Sequence, residues 1–304
     1  MKDIFNFLTA LIFVLFLILI GIMRFFMLYM FSDLMYFILY HVFGYRKKVV
    51  YKNLKETFPD KSESEIKGLM KKSYKNLTDV LVEGIKAFTM TNRQIRKRHR
   101  VLNPELALPL CEEGKSIIGV AGHYCNWEWG SLSASLYMKH KVVGFYKPLS
   151  NRWIDRFARW SRARYGTTLA SIKETSLNFE RFKDCPSIFL MAADQSPSKI
   201  SQSYWVRFLG RDTAFLHGPE KHARLNNIPV MFIDVQRVKR GYYTVEISML
   251  ANNPGQLSEG ELTRLYAKKL ESVIMAKPAN WLWSHRRWKH KWVPGQETPG
   301  QEFI

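Results

Sequence analysis

Between positions 122 and 130 the chain reads GHYCNWEWG, which sets an imidazole, His123, five residues ahead of a carboxylate, Glu128. A carboxylate beside an imidazole fixes its tautomer and raises its basicity, and such an imidazole can take a proton from an attacking hydroxyl. On one continuous helix, residues five apart point about 140° away from each other, so the two side chains do not meet there. They meet if His123 ends a strand and Glu128 lies in the first turn of the next helix, with Asn126 as the N-cap. The apolar run Lys115 to Val120 reads as that strand, and strand ends are where α/β proteins place chemistry. The plain alternative is a loop histidine and a glutamate that merely compensates a helix dipole.

Other residue types suit an anionic, apolar ligand. A helix over Arg152–Arg164 carries Trp153, Ile154, Phe157, Ala158 and Trp160 on one side and Arg152, Arg156 and Arg159 on the other. Arg162 and Arg164 fall near the edge of its apolar side, where a guanidinium can grip a lipid phosphate bidentately; snorkelling arginines of an amphipathic surface helix are the alternative. Pro219 reads as the first residue of a helix with Glu220 in its first turn, either an anion-binding N-terminus or an ordinary cap. The stretch 281–292 holds four of the nine tryptophans and no acid, a composition for packing and interfacial anchoring, substrate contact or base stacking. No GxSxG, Walker A loop, strand-linked GxGxxG or HExxH occurs, so a serine hydrolase, NTPase, dinucleotide enzyme or zincin has no support. His217 and His222 lack a third ligand nearby, and no metal site is expected.

The elements that must position these residues alternate. Ser62 to Glu65 forms a capping box that opens a helix through Ile66, Met70, Tyr74, Leu77, Val80, Leu81 and Ile85. After the basic stretch Asn92–Arg100, strands are expected at Lys115–Val120, Lys141–Tyr146, Ser187–Ala192, Val230–Val235 and Tyr242–Ile247. Helices are expected at Trp127–Met138, Arg152–Arg164, Pro219–Asn226 and Gly260–Met275. This alternation predicts an α/β domain with a mixed, mostly parallel sheet flanked by helices, and Gly241 marks an antiparallel hairpin at the sheet edge.

Composition sets the surroundings. In 304 residues, 46 Lys and Arg against 26 Asp and Glu give +20, which calls for an anionic partner or surface. Residues 1–43 carry only Lys2, Asp3, Arg24 and Asp33 and are neutral, so the whole excess lies on 44–304. The run Ile4–Met23 matches a hydrocarbon core of roughly 30 Å as an uncleaved anchor, and Phe25–Phe43 reads as interfacial, re-entrant or a second span. Arg46, Lys47, Lys48, Lys52 and Lys55 place the downstream flank in the cytoplasm by the positive-inside rule. The expected division is therefore an anchor over 1–43 and a cytoplasm-facing α/β domain over 44–304. Three cysteines without a CxxC spacing exclude a disulfide framework.

In order along the chain stand GHYCNWEWG, FYKPLSN at 145–151, WSRARYG at 160–166, ADQSP at 193–197, FLHGPEKHA at 215–223 and WLWSHRRWK at 281–289. Over roughly residues 46–293 this series resembles the glycerolipid acyltransferases, and more narrowly the lipid A late acyltransferase family. The resemblance implies transfer of a fatty acyl group from acyl carrier protein or coenzyme A to a hydroxyl of a phosphorylated lipid A precursor. The site would be a cytoplasmic face of the inner membrane, with no cofactor, no metal, no covalent enzyme intermediate and no nucleic acid partner. It implies His123 as general base and Glu128 as its orienting partner, with Arg162, Arg164, Asp194, Glu220 and Lys147 binding substrate. Lys147 departs from the family's Tyr-Arg-Pro, keeping the charge but not the planar fork. The alternatives are the same chemistry on a lysophospholipid or amino-acid lipid, or a non-catalytic membrane-tethered binder of anionic lipid or nucleic acid.

Overall fold

The computed structural model describes residues 2–292, with side chains from Asn6 onward. The chain begins with two apolar helices, α1 (Lys2–Ile22) and α2 (Phe25–Phe37), the second prolonged by a wider π-type turn over Ile38–Val42. Then come α3 (Lys47–Thr57), α4 (Glu63–Lys86), α5 (Asn92–Arg98), β1 (His99–Val101), α6 (Leu108–Glu112), β2 (Ile117–Ala121) and α7 (Gly130–Tyr137). β3 (Lys141–Tyr146), α8 (Arg152–Ala163), β4 (Thr168–Ser171), α9 (Thr175–Arg181) and β5 (Ser187–Ala192) follow. The hairpin β6 (Ser203–Phe208) and β7 (Arg211–Leu216) precedes α10 (Gly218–Asn226), β8 (Val230–Lys239), β9 (Tyr242–Ala251) and α11 (Glu261–Ala276).

Seven strands form one sheet in the order β1-β9-β8-β2-β5-β3-β4, and β6–β7 stand apart as a two-stranded ribbon. The five strands from β8 to β4 are parallel, while β9 is antiparallel to β8 and β1 runs with β9. The architecture is the expected mostly parallel α/β sheet with flanking helices. The hairpin at Gly241 is antiparallel as expected but is not the sheet edge, because β1 pairs outside β9. β1 is three residues long, too short to carry a period-two signal, and β4 and the β6–β7 ribbon were likewise not expected.

Alternating residues build two cores. Ile118, Val120, Val143, Phe189 and Phe232 point into the larger one, whereas Ile117, Val142, Ile188 and Met231 point into a smaller one closed by Ala107 and Ala134. Because both faces are covered, β2 is a continuous apolar run. The capping box at Ser62 is formed, with its Oγ accepting from Glu65 N–H and Glu65 returning to Ser62 N–H.

Among the described residues, Phe25–Val42 is one helix of 18 residues apolar enough to cross a membrane by length and composition, and α1 is apolar from Asn6 to Ile22. Leu8, Leu11, Ile12, Leu15, Phe16, Leu19 and Ile22 of α1 are all exposed, a surface that water does not tolerate in such quantity. On α2 the exposed apolar residues, Phe26, Met27, Met30, Leu34 and Phe37, lie along one side. Its other side is seated on α4: Leu28 packs with Val82, and Ser32 Oγ donates to Asp79 at 2.7 Å.

Candidate active site

The site begins with register. β2 and β5 are parallel neighbours with Ala121 opposite Ala192, and Ala193 N–H continues the ladder to the Ala121 carbonyl. Two residues beyond that pair, His123 and Asp194 leave the sheet side by side. His123 Nδ1 lies 2.6 Å from Asp194 Oδ1, and the His123 backbone N–H donates to Asp194 Oδ2 at 2.8 Å. Trp281 Nε1 donates to the same oxygen at 2.8 Å. Gly122 permits the approach, since a Cβ there would lie 2.7 Å from Leu270 and 3.4 Å from Asp194 Oδ2.

Electrostatics sets the tautomer. Burial opposes ionisation of Asp194, but the imidazole beside it and hydrogen bonds from His123 and Trp281 outweigh that and hold its carboxyl down at about 2. An ionised carboxylate only accepts, so Nδ1 carries the proton and the neutral ring keeps its lone pair on Nε2. Burial also disfavours the imidazolium of His123, yet the charge and hydrogen bond of Asp194, helped by Glu128, raise its pKa above the ordinary 6.5. Gln195 Nε2 stands 3.1 Å from His123 Nε2.

The carboxylate in contact with the imidazole is Asp194, where the sequence led one to expect Glu128. Glu128 does lie in the first turn after Asn126, whose Oδ1 caps Trp129 N–H at 3.0 Å, but its Oε2 takes Arg162 NH2 at 2.8 Å. Its other oxygen accepts from Trp127 Nε1 at 3.2 Å, and the Trp127 ring sits edge-on to His123 with centroids 5.1 Å apart. A short first turn aims Glu128 away from the ring and at α8. Arg162 therefore comes to the site through Glu128, and Asp194 comes to it as the imidazole's partner rather than as a substrate ligand.

Three other expectations fare differently. Arg164 turns inward, with NH1 on the carbonyls of Ala87, Phe88 and Met90, so it ties down the end of α4 instead of facing a ligand. Glu220 is buried, and its two oxygens accept from Gly260 N–H at 2.5 Å and from Thr263 N–H and Oγ1 at 2.9 and 2.6 Å. It caps the first turn of α11; the carboxylate is used up by that helix. Lys147 is exposed on the loop after β3, at the same edge of the sheet as His123.

Several positioning residues escaped the sequence. The turn after His123 contains Cys125 at φ +52°, a left-handed conformation that costs a non-glycine residue roughly 1–2 kcal/mol. It is stitched down by Cys125 N–H to the Asn280 carbonyl at 2.9 Å and Leu282 N–H to the His123 carbonyl at 3.2 Å. Buried His99, pushed by desolvation to about 4 and so neutral, donates from Nε2 to the Asn126 carbonyl at 3.1 Å and meets Ser133 Oγ at 2.8 Å. Glu83 accepts from Asn126 Nδ2 and Tyr243 Oη at 2.7 Å and from Tyr29 Oη at 2.8 Å; burial lifts its carboxyl to about 7 against those hydrogen bonds. Because β1 and β9 run opposite to the other strands, their first residues bring His99 and Tyr243 to the edge where the parallel strands end.

The tryptophan-rich segment serves this site from behind. Besides Trp281 on Asp194, His285 Nε2 accepts Ser196 N–H at 3.0 Å and His290 Nε2 donates to the Pro197 carbonyl at 3.0 Å. Trp283 is fully buried and Trp288 Nε1 donates to Thr213 Oγ1 at 2.7 Å, so packing accounts for the segment. Between α1 and α8 lies an open apolar cleft of about 370 Å³ lined by Phe7, Leu11, Val14, Trp153, Phe157 and Trp160, with Arg156 in its wall. No group of three or more potential metal ligands occurs among the described residues.

Fold and site together define a class: an α/β protein whose parallel strands deliver a carboxylate-braced imidazole, preceded in the chain by two exposed apolar helices. The chain belongs to the bacterial lipid A biosynthesis acyltransferase family, whose model matches residues 3–290, and is an acyltransferase of that biosynthesis. It is 24% identical over 247 residues to a lipid A biosynthesis lauroyltransferase of Escherichia coli K12, covering 80% of this chain and 79% of that protein. It is 22% identical over 256 residues to a lipid A biosynthesis acyltransferase of Haemophilus influenzae, covering 84% and 80%. A lipid A biosynthesis palmitoleoyltransferase of E. coli K12 is 22% identical over 250 residues, covering 80% and 79%.

Proposed function

We propose that this chain transfers a fatty acyl group from a thioester of acyl carrier protein or coenzyme A to a hydroxyl of a phosphorylated lipid A precursor, with His123 as general base. The observation that carries this reading is the Nδ1 contact of His123 with buried Asp194, which leaves the lone pair on Nε2 for the incoming hydroxyl. The hydroxyl oxygen bonds to the thioester carbonyl carbon as its proton passes to Nε2; the carbon–sulfur bond then breaks and Nε2 returns the proton to the leaving thiolate. Atoms and charge balance without a covalent enzyme intermediate.

Arg162, held by Glu128, is the guanidinium for the lipid phosphate, and Lys147 adds charge at the same sheet edge. The α1–α8 cleft suits a hydrocarbon chain. Residues 1–43 act as the inner-membrane anchor, and the basic flank from Arg46 to Lys55 supports a cytoplasmic position for the rest. Membership of an acyltransferase family weighs against a non-catalytic binder. The test is acylation of a purified lipid A precursor by the full chain in detergent micelles with acyl-thioester donors, read as a mass gain of one acyl group. No gain with the wild type, or an equal gain with His123→Ala, sinks the reading; a gain only on a lysophospholipid redirects the acceptor.

A further inference from the structure

The second nitrogen of the imidazole is not bare. Gln195 Nε2 approaches His123 Nε2 to 3.1 Å. The polarity of this contact follows from the other side of the ring: Asp194 only accepts, so Nδ1 is the donor, Nε2 of the neutral ring is the acceptor, and only the NH2 end of the amide can face it. Donation to an unprotonated nitrogen stabilises the neutral ring, because the imidazolium would present an N–H to an N–H.

The surroundings otherwise favour the charged ring. Asp194 from the loop after β5 and Glu128 from the turn after Asn126 both pull His123 toward the imidazolium. Arg162 of α8 faces the ring only across Glu128, which it pairs at 2.8 Å. His285 from the C-terminal segment is pushed down to about 4 by burial, stays neutral and spends its Nε2 on Ser196 N–H. Gln195 sits between Asp194, whose carboxylate takes three hydrogen bonds, and Ser196 and Pro197, whose backbone N–H and carbonyl are bonded to His285 and His290, so its side chain leaves a segment held on both sides.

We propose that Gln195 is a positioning residue of the transfer reaction: its amide donates to His123 Nε2, keeps that nitrogen unprotonated against two neighbouring carboxylates, and gives way to the acceptor hydroxyl. The proposal rests on His123 being the base.

The test is kcat against pH for the full chain in detergent micelles, with acyl thioester and lipid A precursor, in the wild type, Gln195→Met, Gln195→Glu and His123→Ala. Replacing the donor by an isosteric apolar group should move the acid limb upward, and a carboxylate on Nε2 should move it further, by about one pH unit or more. A purely structural role would instead lower the plateau and leave the acid limb where it is. Acid limbs that stay in place or move down, with or without a lower plateau, overturn the proposal. Activity retained by His123→Ala instead overturns the general-base reading on which it rests. Should Gln195→Met fail to fold, Gln195→Leu carries the same readout, since it too removes the donor without adding a charge.

Discussion

Ala121 and Ala192 face each other across two parallel strands that lie seventy-odd positions apart in the chain, and the second residue past each is His123 and Asp194. The ladder therefore sets the two chain exits side by side, and each residue stands only two positions beyond its strand. Each strand is clamped by neighbours, β2 by β5 and β8, and β5 by β2 and β3. A site held within about 0.5 Å needs this kind of support.

The first prediction concerns pH. Transfer needs the neutral ring, so activity is lost as pH falls through the His123 pKa, which Asp194 holds above 6.5. In Asp194→Asn the raising charge is gone while burial still disfavours the imidazolium, so the acid limb should drop below that of the wild type. The kcat plateau should fall by about 10²-fold or more, since a neutral amide can select the wrong tautomer. A pH–rate series on both proteins checks it; an unmoved limb would dismiss Asp194 as the orienting group.

Glu128 and Arg162 are expected to act as one unit. Arg162→Ala should lower kcat/KM by a factor equivalent to a few kcal/mol of charge-assisted binding, and Glu128→Ala should cost a similar amount by leaving that arginine unheld. The double variant should then be no worse than the weaker single, a coupling of about 0.5–3 kcal/mol. Strict additivity in the double-mutant cycle would separate the two roles.

Arg164 and Glu220 should answer in stability instead. Removing Arg164 takes away the guanidinium shared by three carbonyls just past α4, of which Ala87 and Met90 keep a second donor, and removing Glu220 strands the N–H groups of Gly260 and Thr263. Each alanine variant should lose about 1–3 kcal/mol and unfold at lower temperature, while KM for donor and acceptor stays near wild type. Thermal unfolding alongside steady-state kinetics decides it: a KM rise at unchanged Tm would return either residue to substrate binding.

Glu83 joins the apolar helix α2 to the turn after His123, taking Tyr29 from α2, Tyr243 from β9 and Asn126 from the turn itself. Glu83→Ala removes one acceptor from three donors and should lower both Tm and kcat. Tyr29→Phe, which cuts only the link to α2, should cost about 1 kcal/mol of stability and leave membrane flotation unchanged. Loss of flotation in Tyr29→Phe would show that the contact holds the anchor rather than the turn.

Local chemistry made much of this protein readable in one dimension. The capping box at Ser62, the strands Lys141–Tyr146 and Ser187–Ala192, the helix from Arg152 and the apolar start all rest on periodicity, caps and turn residues that act over a few positions. His123 too was legible, because an apolar strand ending at a histidine is a local pattern. Its partner was not. Glu128 was near in sequence, but a strand's neighbour in a parallel sheet is chosen by how whole βα units pack, and that choice put β5, and so Asp194, beside β2. Asp79 and Glu83 lie off the apolar stripe that marks α4 and became buried only because α2 and the β8–β9 hairpin cover a second face of that helix. The same holds for Arg164 and Glu220, whose residue types suited a phosphate or a cap equally well: a side chain's partners are set by what arrives from elsewhere in the chain, and only tertiary packing decided between a ligand and a helix end.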